Sequence, residues 1–160
     1  MTSNTQIIAE KGNQEIFIIR EFDAPREMVF KAFSDPEILV QFFAPFDYTL
    51  HFNHQDYRTG GSYSWCNKNK EGKTLCTFSG VIHELTSPER IIQTSEFMEL
   101  PERGNVLLEV IKFEDLPNNR TKMTVHDLCP SVAIRDTIIN SGMDKGLVDI
   151  FNKLDMLLRK

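Results

Sequence analysis

Two hydrophobic periods alternate along this chain, and the points where one gives way to the other outline its elements. Glu15 to Phe22, EIFIIREF, is β-branched and aromatic with a polar end, which predicts a first strand. Asp23-Ala24-Pro25 follows. Proline at a first helical position is a start signal, and PREMVFKAFSD then puts Val29, Phe30 and Phe33 on one helical face, ending near Ser34. Asp35-Pro36 repeats the signal for a second short helix presenting Ile38, Leu39, Phe42 and Phe43, which Pro45 stops.

From Asp47 the period drops to two. Tyr48, Leu50 and Phe52 alternate with polar residues, Arg58-Thr59-Gly60-Gly61 reads as a turn, and SYSWCN places Tyr63 and Trp65 on one face. Further strands are expected at Leu75–Leu85, Ile91–Met98, Val106–Phe113 and Thr121–Val125, separated by turns such as Pro117-Asn118-Asn119. Residues Ser131 to Asn140 read either as a separate helical turn or as an extension of the last helix. Past Ser141, which has capping-box spacing to Asp144, Met143, Leu147, Ile150, Phe151, Leu154, Leu157 and Leu158 recur at steps of three and four. Such an amphipathic helix of about 18 residues is roughly 27 Å long, enough to cross a sheet. Asp149–Lys153 and Asp155–Arg159 have i,i+4 spacing along it.

The order predicts an α+β protein: a curved antiparallel sheet of six to seven strands wrapped around a long C-terminal helix, with two short helices after the first strand capping one end. The gap between helix, sheet and caps is the natural place for a cavity. Residues 1–14 are expected as a flexible N-terminal segment and 15–160 as a single domain. At 160 residues and 41% hydrophobic, the chain needs neither disulfide nor metal to build a core. Its formal charge of −5, with no basic tract, argues against a nucleic-acid partner. No run of 18 apolar residues predicts a membrane span, and the polar start lacks a secretory core, so a cytoplasmic location is expected. Three cysteines without a CxxC spacing give no disulfide framework, although a hairpin turning at Lys70-Glu71-Gly72 would set Cys66 nearly opposite Cys76.

Four stretches carry a family resemblance: FDAPREMVFKAFSDPEILVQFFAP (Phe22 to Pro45), DYRTGGSY (Asp56 to Tyr63), FSGVIHELTSPERI (Phe78 to Ile91) and RTKMTVHD (Arg120 to Asp127). In order and spacing the chain resembles the SRPBCC superfamily, the helix-grip fold of START-like and birch-pollen-allergen-like proteins. Within it, the chain is similar to the branch named for the activator of the ninety-kilodalton heat-shock protein's ATPase. It departs from the branch at Phe42-Phe43, where a Trp pair is common, and at Gly146-Leu147, where Gly-Trp is common. The resemblance implies a cavity-bearing fold whose members include co-chaperone domains, lipid and polyketide binders and cyclase-like proteins; shared fold does not assign the chemistry.

Candidate chemistry is sparse. His51 and His54 are three apart, so a regular strand would point them to opposite faces. His83 is expected at the solvent side. His126 and Asp127 are adjacent and cannot both line one site, which also argues against a nucleophile set with Cys129. Asp23, Glu27 and Asp35 read as caps and first-turn acids, and no inward-facing histidine or carboxylate pair is evident. No catalytic residue, metal or cofactor is therefore expected. The inward apolar set is the candidate site: Phe33, Phe42, Phe43, Tyr63, Trp65, Phe78, Phe97, Met123, Val125, Leu147, Phe151 and Leu154. It would hold an apolar lipid- or polyketide-like molecule, with Tyr63 and Trp65 supplying polar handles. The alternative is a co-chaperone-like module whose partner is the heat-shock chaperone, and a cyclase- or hydrolase-type enzyme ranks third. A monomer or weak homodimer is expected.

Overall fold

The computed structural model describes residues 5–159. Their order is β1 (Gln6–Ile8), β2 (Glu15–Phe22), α1 (Arg26–Ser34), α2 (Pro36–Phe42), β3 (Thr49–Gln55), β4 (Ser62–Lys68), β5 (Thr74–Thr86), β6 (Arg90–Phe97), β7 (Val106–Leu116), β8 (Arg120–Leu128), α3 (Val132–Ile139) and α4 (Met143–Leu158). The strands form one antiparallel sheet in the order β1-β2-β8-β7-β6-β5-β4-β3. This is the expected helix-grip arrangement with eight strands rather than six or seven. The added strand, β1, lies in the segment expected to be flexible: Gln6–Ile8 pairs with Phe17–Ile19. Three residues are too short for alternation to register, and the free edge of β2 supplies their hydrogen-bond partners. The other sequence-predicted strands all occur, several of them a few residues longer.

Local chemistry explains the helices. Asp35 caps α2 by accepting from Glu37 N at 2.9 Å, and Ser131 caps α3 by accepting from Ile134 N at 3.1 Å, which settles residues 132–139 as a separate helix. The expected capping box of α4 does not form. Its N-cap is Gly142 in the left-handed region, while the Ser141 hydroxyl turns back to donate to Ile138 O at the end of α3. Nor does Asp23 cap a helix; it accepts from Arg120 Nε at 2.5 Å. The acid–base pairs read along α4 are likewise spent on tertiary contacts. Lys153 donates to Ala44 O (2.8 Å) and Pro45 O (3.1 Å), Asp149 accepts from Phe46 N, and Asp155 pairs with the buried Arg20 of β2. Together they tie α4 to β2 and to the loop after α2.

The helices pack on one sheet face, here the inner face. Following the register, it carries Ile16, Ile18, Arg20 and Phe22 of β2, then Asp127, Val125, Met123 and Thr121 of β8. Phe33 of α1 lies at the centre of an aromatic cluster with Phe22, Phe42, Phe113 and Phe151, ring centroids 5.5–6.5 Å apart. Phe22, Phe42, Met123, Phe151 and Leu154 are fully enclosed.

Two register details correct the sequence reading. Cys66 is the partner of Thr77 and Asn67 that of Cys76, so a one-residue offset sends the two thiols to opposite faces; all three cysteines are free. A bulge between Phe52 and His54 makes Asn53 the extra residue of β3, so His51 and His54 emerge on the same outer face instead of opposite ones. Each ring nitrogen meets a hydroxyl, Thr49 and Ser62 respectively, and no metal-binding group occurs among the described residues. No helix there is long and apolar enough to cross a membrane.

Candidate functional site

Beyond the packed cluster, the inner face changes character. Phe43, just past α2, meets Trp65 of β4 edge-on (5.5 Å, 81°). Trp65 stacks on Phe78 of β5 (4.8 Å), and Phe78 lies beside Phe97 of β6 (5.3 Å). These four rings form a file across three strands, and all four are only half-buried, as is Leu147 of α4. The file is in register: Trp65 faces Phe78, which faces Phe97. Period-two alternation therefore places them on one face.

The twelve candidate residues divide accordingly. Phe33, Phe42, Met123, Val125, Phe151 and Leu154 are buried in the core, whereas Phe43, Trp65, Phe78, Phe97 and Leu147 remain partly open. Tyr63 is buried, and its hydroxyl is already satisfied: it donates to Thr94 O at 2.6 Å. The polar handle expected of Tyr63 is therefore spent inside the sheet. Gly80 makes this reach possible, because a Cβ there would lie 1.9 Å from Thr94 O and 2.7 Å from the Tyr63 hydroxyl. A recess of about 440 Å³ lined by His54, Ser62, Ser64, Ser79, Val81, Thr94 and Val106 lies beside this crossing. These are chiefly outer-face positions, so it is not the expected space between sheet and α4.

A polar row crosses the inner face, and it contains the carboxylate pair that the sequence alone does not reveal. Ile16, Asp127, Glu109, Gln93 and Ile82 are successive Cα partners across β2, β8, β7, β6 and β5. Gln93 Nε2 donates to Glu109 Oε1 at 3.0 Å. Asp127 is 4% exposed and directly opposite Glu109. Burial first, then the charge of Glu109 and a hydrogen bond to it, hold the Asp127 carboxyl well above the usual carboxylate range. Its Oδ1 has no hydrogen-bond partner among the described residues. The signal for Asp127 was present in the sequence. Met123 and Val125 read as inward, so two more residues along the same strand had to be inward too. Glu109 follows from Leu107, Ile111 and Phe113 in the same way. Adjacent His126 points outward, stacked on Phe17 at 4.4 Å with Nε2 3.2 Å from Glu15 Oε1.

The surroundings of the row bear on its chemistry. Burial raises the hydroxyl pKa values of Tyr57 and Tyr63, and Glu109 adds to both. Burial also pushes the Cys129 thiol up to about 11, with Asp127 adding to the effect. A thiol so shifted stays protonated at neutral pH and is a poor nucleophile. The arrangement can hold an apolar body against the aromatic file and exchange hydrogen bonds at the carboxyl row.

An eight-stranded antiparallel sheet gripping a C-terminal helix, with two short helices inserted after the first long strand, is the helix-grip architecture of SRPBCC-type proteins. The family model described as "Activator of Hsp90 ATPase homolog 1-like protein" matches residues 23–159, and the chain belongs to that family. Among solved structures, a Rhodobacter sphaeroides protein superposes with a TM-score of 0.85 at 18% identity, covering 98% of this chain and 99% of that one. A Mycobacterium smegmatis protein gives 0.84 at 19% identity, with 96% of each chain covered. A Silicibacter pomeroyi protein of the same family name gives 0.70 at 19% identity, covering 91% and 97%. At these identities the likeness is one of fold. No curated protein matches the chain.

Proposed function

We propose that this chain is a non-catalytic binding protein that holds an apolar small molecule, lipid- or polyketide-like in character, on the inner face between the sheet and α4. The observation that carries this reading is the contrast within one face. The Phe33 cluster is closed, whereas Phe43, Trp65, Phe78 and Phe97 form a continuous aromatic wall left half-open. Large rigid rings in an open file offer contact area at low entropic cost. The binding unit is residues 15–160, acting as a monomer or weak dimer, and its three free thiols suit a reducing cytoplasm. Trp65 is the single tryptophan, so its emission reports on the wall directly. Titration with a panel of fatty acids, sterols and aromatic polyketides should shift that emission and raise the melting temperature for at least one member. A flat response in both measurements across the panel rejects the reading.

A second reading, a co-chaperone that stimulates the ATPase of the heat-shock chaperone, draws on family membership and on the outer face. There Leu108 and Leu128 are cross-strand partners, and both are exposed, as are Val81 and Val106. Stimulation of the purified chaperone's ATPase, abolished by Leu108→Lys, would favour it; no stimulation would remove it.

A further inference from the structure

The inner face holds a buried carboxyl pair whose hydrogen bonding is incomplete. Glu109 and Asp127 are directly opposed across β7 and β8. Gln93 Nε2 donates to Glu109 Oε1, but Asp127 Oδ1, on a side chain almost wholly buried, accepts from no donor among the described residues. A second inner-face acceptor shares this condition. Asn67 of β4 is buried next to the aromatic file, its Nδ2 donates to Cys76 Sγ at 3.6 Å, and its Oδ1 has no partner. Orphaned buried acceptors are costly and call for a donor.

The cations nearest this face are engaged elsewhere. Arg20 pairs with Asp155, Arg135 pairs with Asp136 and donates to Glu10 O, and Lys153 donates to backbone carbonyls. Tyr63, the other buried polar group beside the row, donates to Thr94 O. Asp127 Oδ1 and Asn67 Oδ1 are both acceptors, and among the described residues no ion pair links a cation to Glu109 or Asp127. Glu109, Gln93, Ser95 and Phe97 are only partly buried, and Gln93, Ser95 and Phe97 alternate along the inner face of β6 from the carboxyl row to the aromatic file.

We propose that Glu109 and Asp127 form a recognition pole which selects, among apolar ligands, one bearing a protonated amine. The ammonium donates to the carboxyl row while the apolar body lies along Trp65, Phe78 and Phe97. An ammonium brings three donors and the compensating charge. An alcohol brings one donor and no charge, a hydrocarbon brings neither, and a carboxylate would add a like charge beside Glu109. This inference rests on the small-molecule reading above and names the chemistry of the same site.

The test uses four probes that share one body: 4-phenylbutylamine, 4-phenylbutanol, butylbenzene and 4-phenylbutyrate. Each is titrated at pH 7 against Trp65 emission and melting temperature. The amine should bind about tenfold or more tighter than the alcohol, as expected for a hydrogen bond to a charged group, and the carboxylate should bind weakest. In the Glu109→Gln/Asp127→Asn double variant, whose amides keep the volume of the originals, the amine preference should collapse while butylbenzene affinity holds. Phe97→Ala should weaken all four probes alike. Alcohol or carboxylate binding as tightly as the amine, or an amine preference that survives in the double variant, overturns the recognition pole and leaves the small-molecule reading standing. Failure of all four probes to alter emission or melting temperature overturns both.

Discussion

The two halves of the inner face are built from the same residue types yet end in different states. Around Phe33, rings from α1, α2, β2, β7 and α4 close on one another, and Phe22, Phe42, Phe113 and Phe151 are left with almost no exposed surface. Along Phe43, Trp65, Phe78 and Phe97, the rings contact each other in a single file and stay partly open. The difference lies in what covers them. The first half has helices pressed onto it, with Phe30 of α1 meeting Phe113 at 5.3 Å and Phe151 of α4 meeting Phe22 at 6.0 Å. In the second half, Trp65, Phe78 and Phe97 lie outside the closed cluster and are half-buried. Aromatic content alone therefore does not distinguish a core from a binding wall; the number of layers above it does.

Substitutions can break this comparison, beginning with the closed half. Phe151→Ala should cost about 3–5 kcal/mol, the range for deleting an enclosed ring, read as a lower urea midpoint at unchanged slope. Asp155→Asn removes the carboxylate that pairs with buried Arg20 and should cost about 2–4 kcal/mol, somewhat below the range for a fully buried pair because Asp155 is one-fifth exposed. Phe97→Ala, in the open half, should cost only about 1–2 kcal/mol, since a half-buried ring gives up less contact. A cost equal to that of Phe151→Ala would mean the two halves are equally packed. Thr121→Val should cost about 1 kcal/mol, for it deletes the buried hydrogen bond to Ala24 O (2.7 Å) without changing volume.

The last prediction is one of sign. Asp127 has a raised pKa in the folded chain, so its stabilising contribution is full below the unfolded value near 4 and is lost as pH rises toward the folded value. Asp127→Asn removes this dependence. Urea midpoints at pH 5 and pH 8 should show the variant gaining on the parent as pH increases. A parent–variant difference that stays constant between the two pH values would mean that the carboxyl ionises freely in the fold, and that the row is open rather than buried.

Much of this molecule was legible in its residues. EIFIIREF, the two Pro-started helices, the strands from Leu50 onward and the period of α4 all appear where alternation and helical spacing place them, because each signal is local and repeated. The errors were of another kind. Cys66 and Cys76 parted faces through one residue of register, and a bulge at Asn53 carried His51 and His54 to the same side. Asp149, Lys153 and Asp155 satisfied groups far away in sequence rather than one another. Asp127 was readable from the alternation of its own strand. Its partner Glu109 could be placed inward, but not opposite it, without knowing the β7–β8 register.

By itself the sequence determined the element order, the inward face of the regular elements, and the family, because backbone sterics and periodic burial act over a few residues. Only the tertiary structure decided which of the inward aromatics close into a core and which stay open. It alone brought two carboxyls and an orphaned acceptor together on one face. Those outcomes depend on register between distant strands and on how far α4 extends over a curved sheet, and neither quantity is encoded in any local window of the chain.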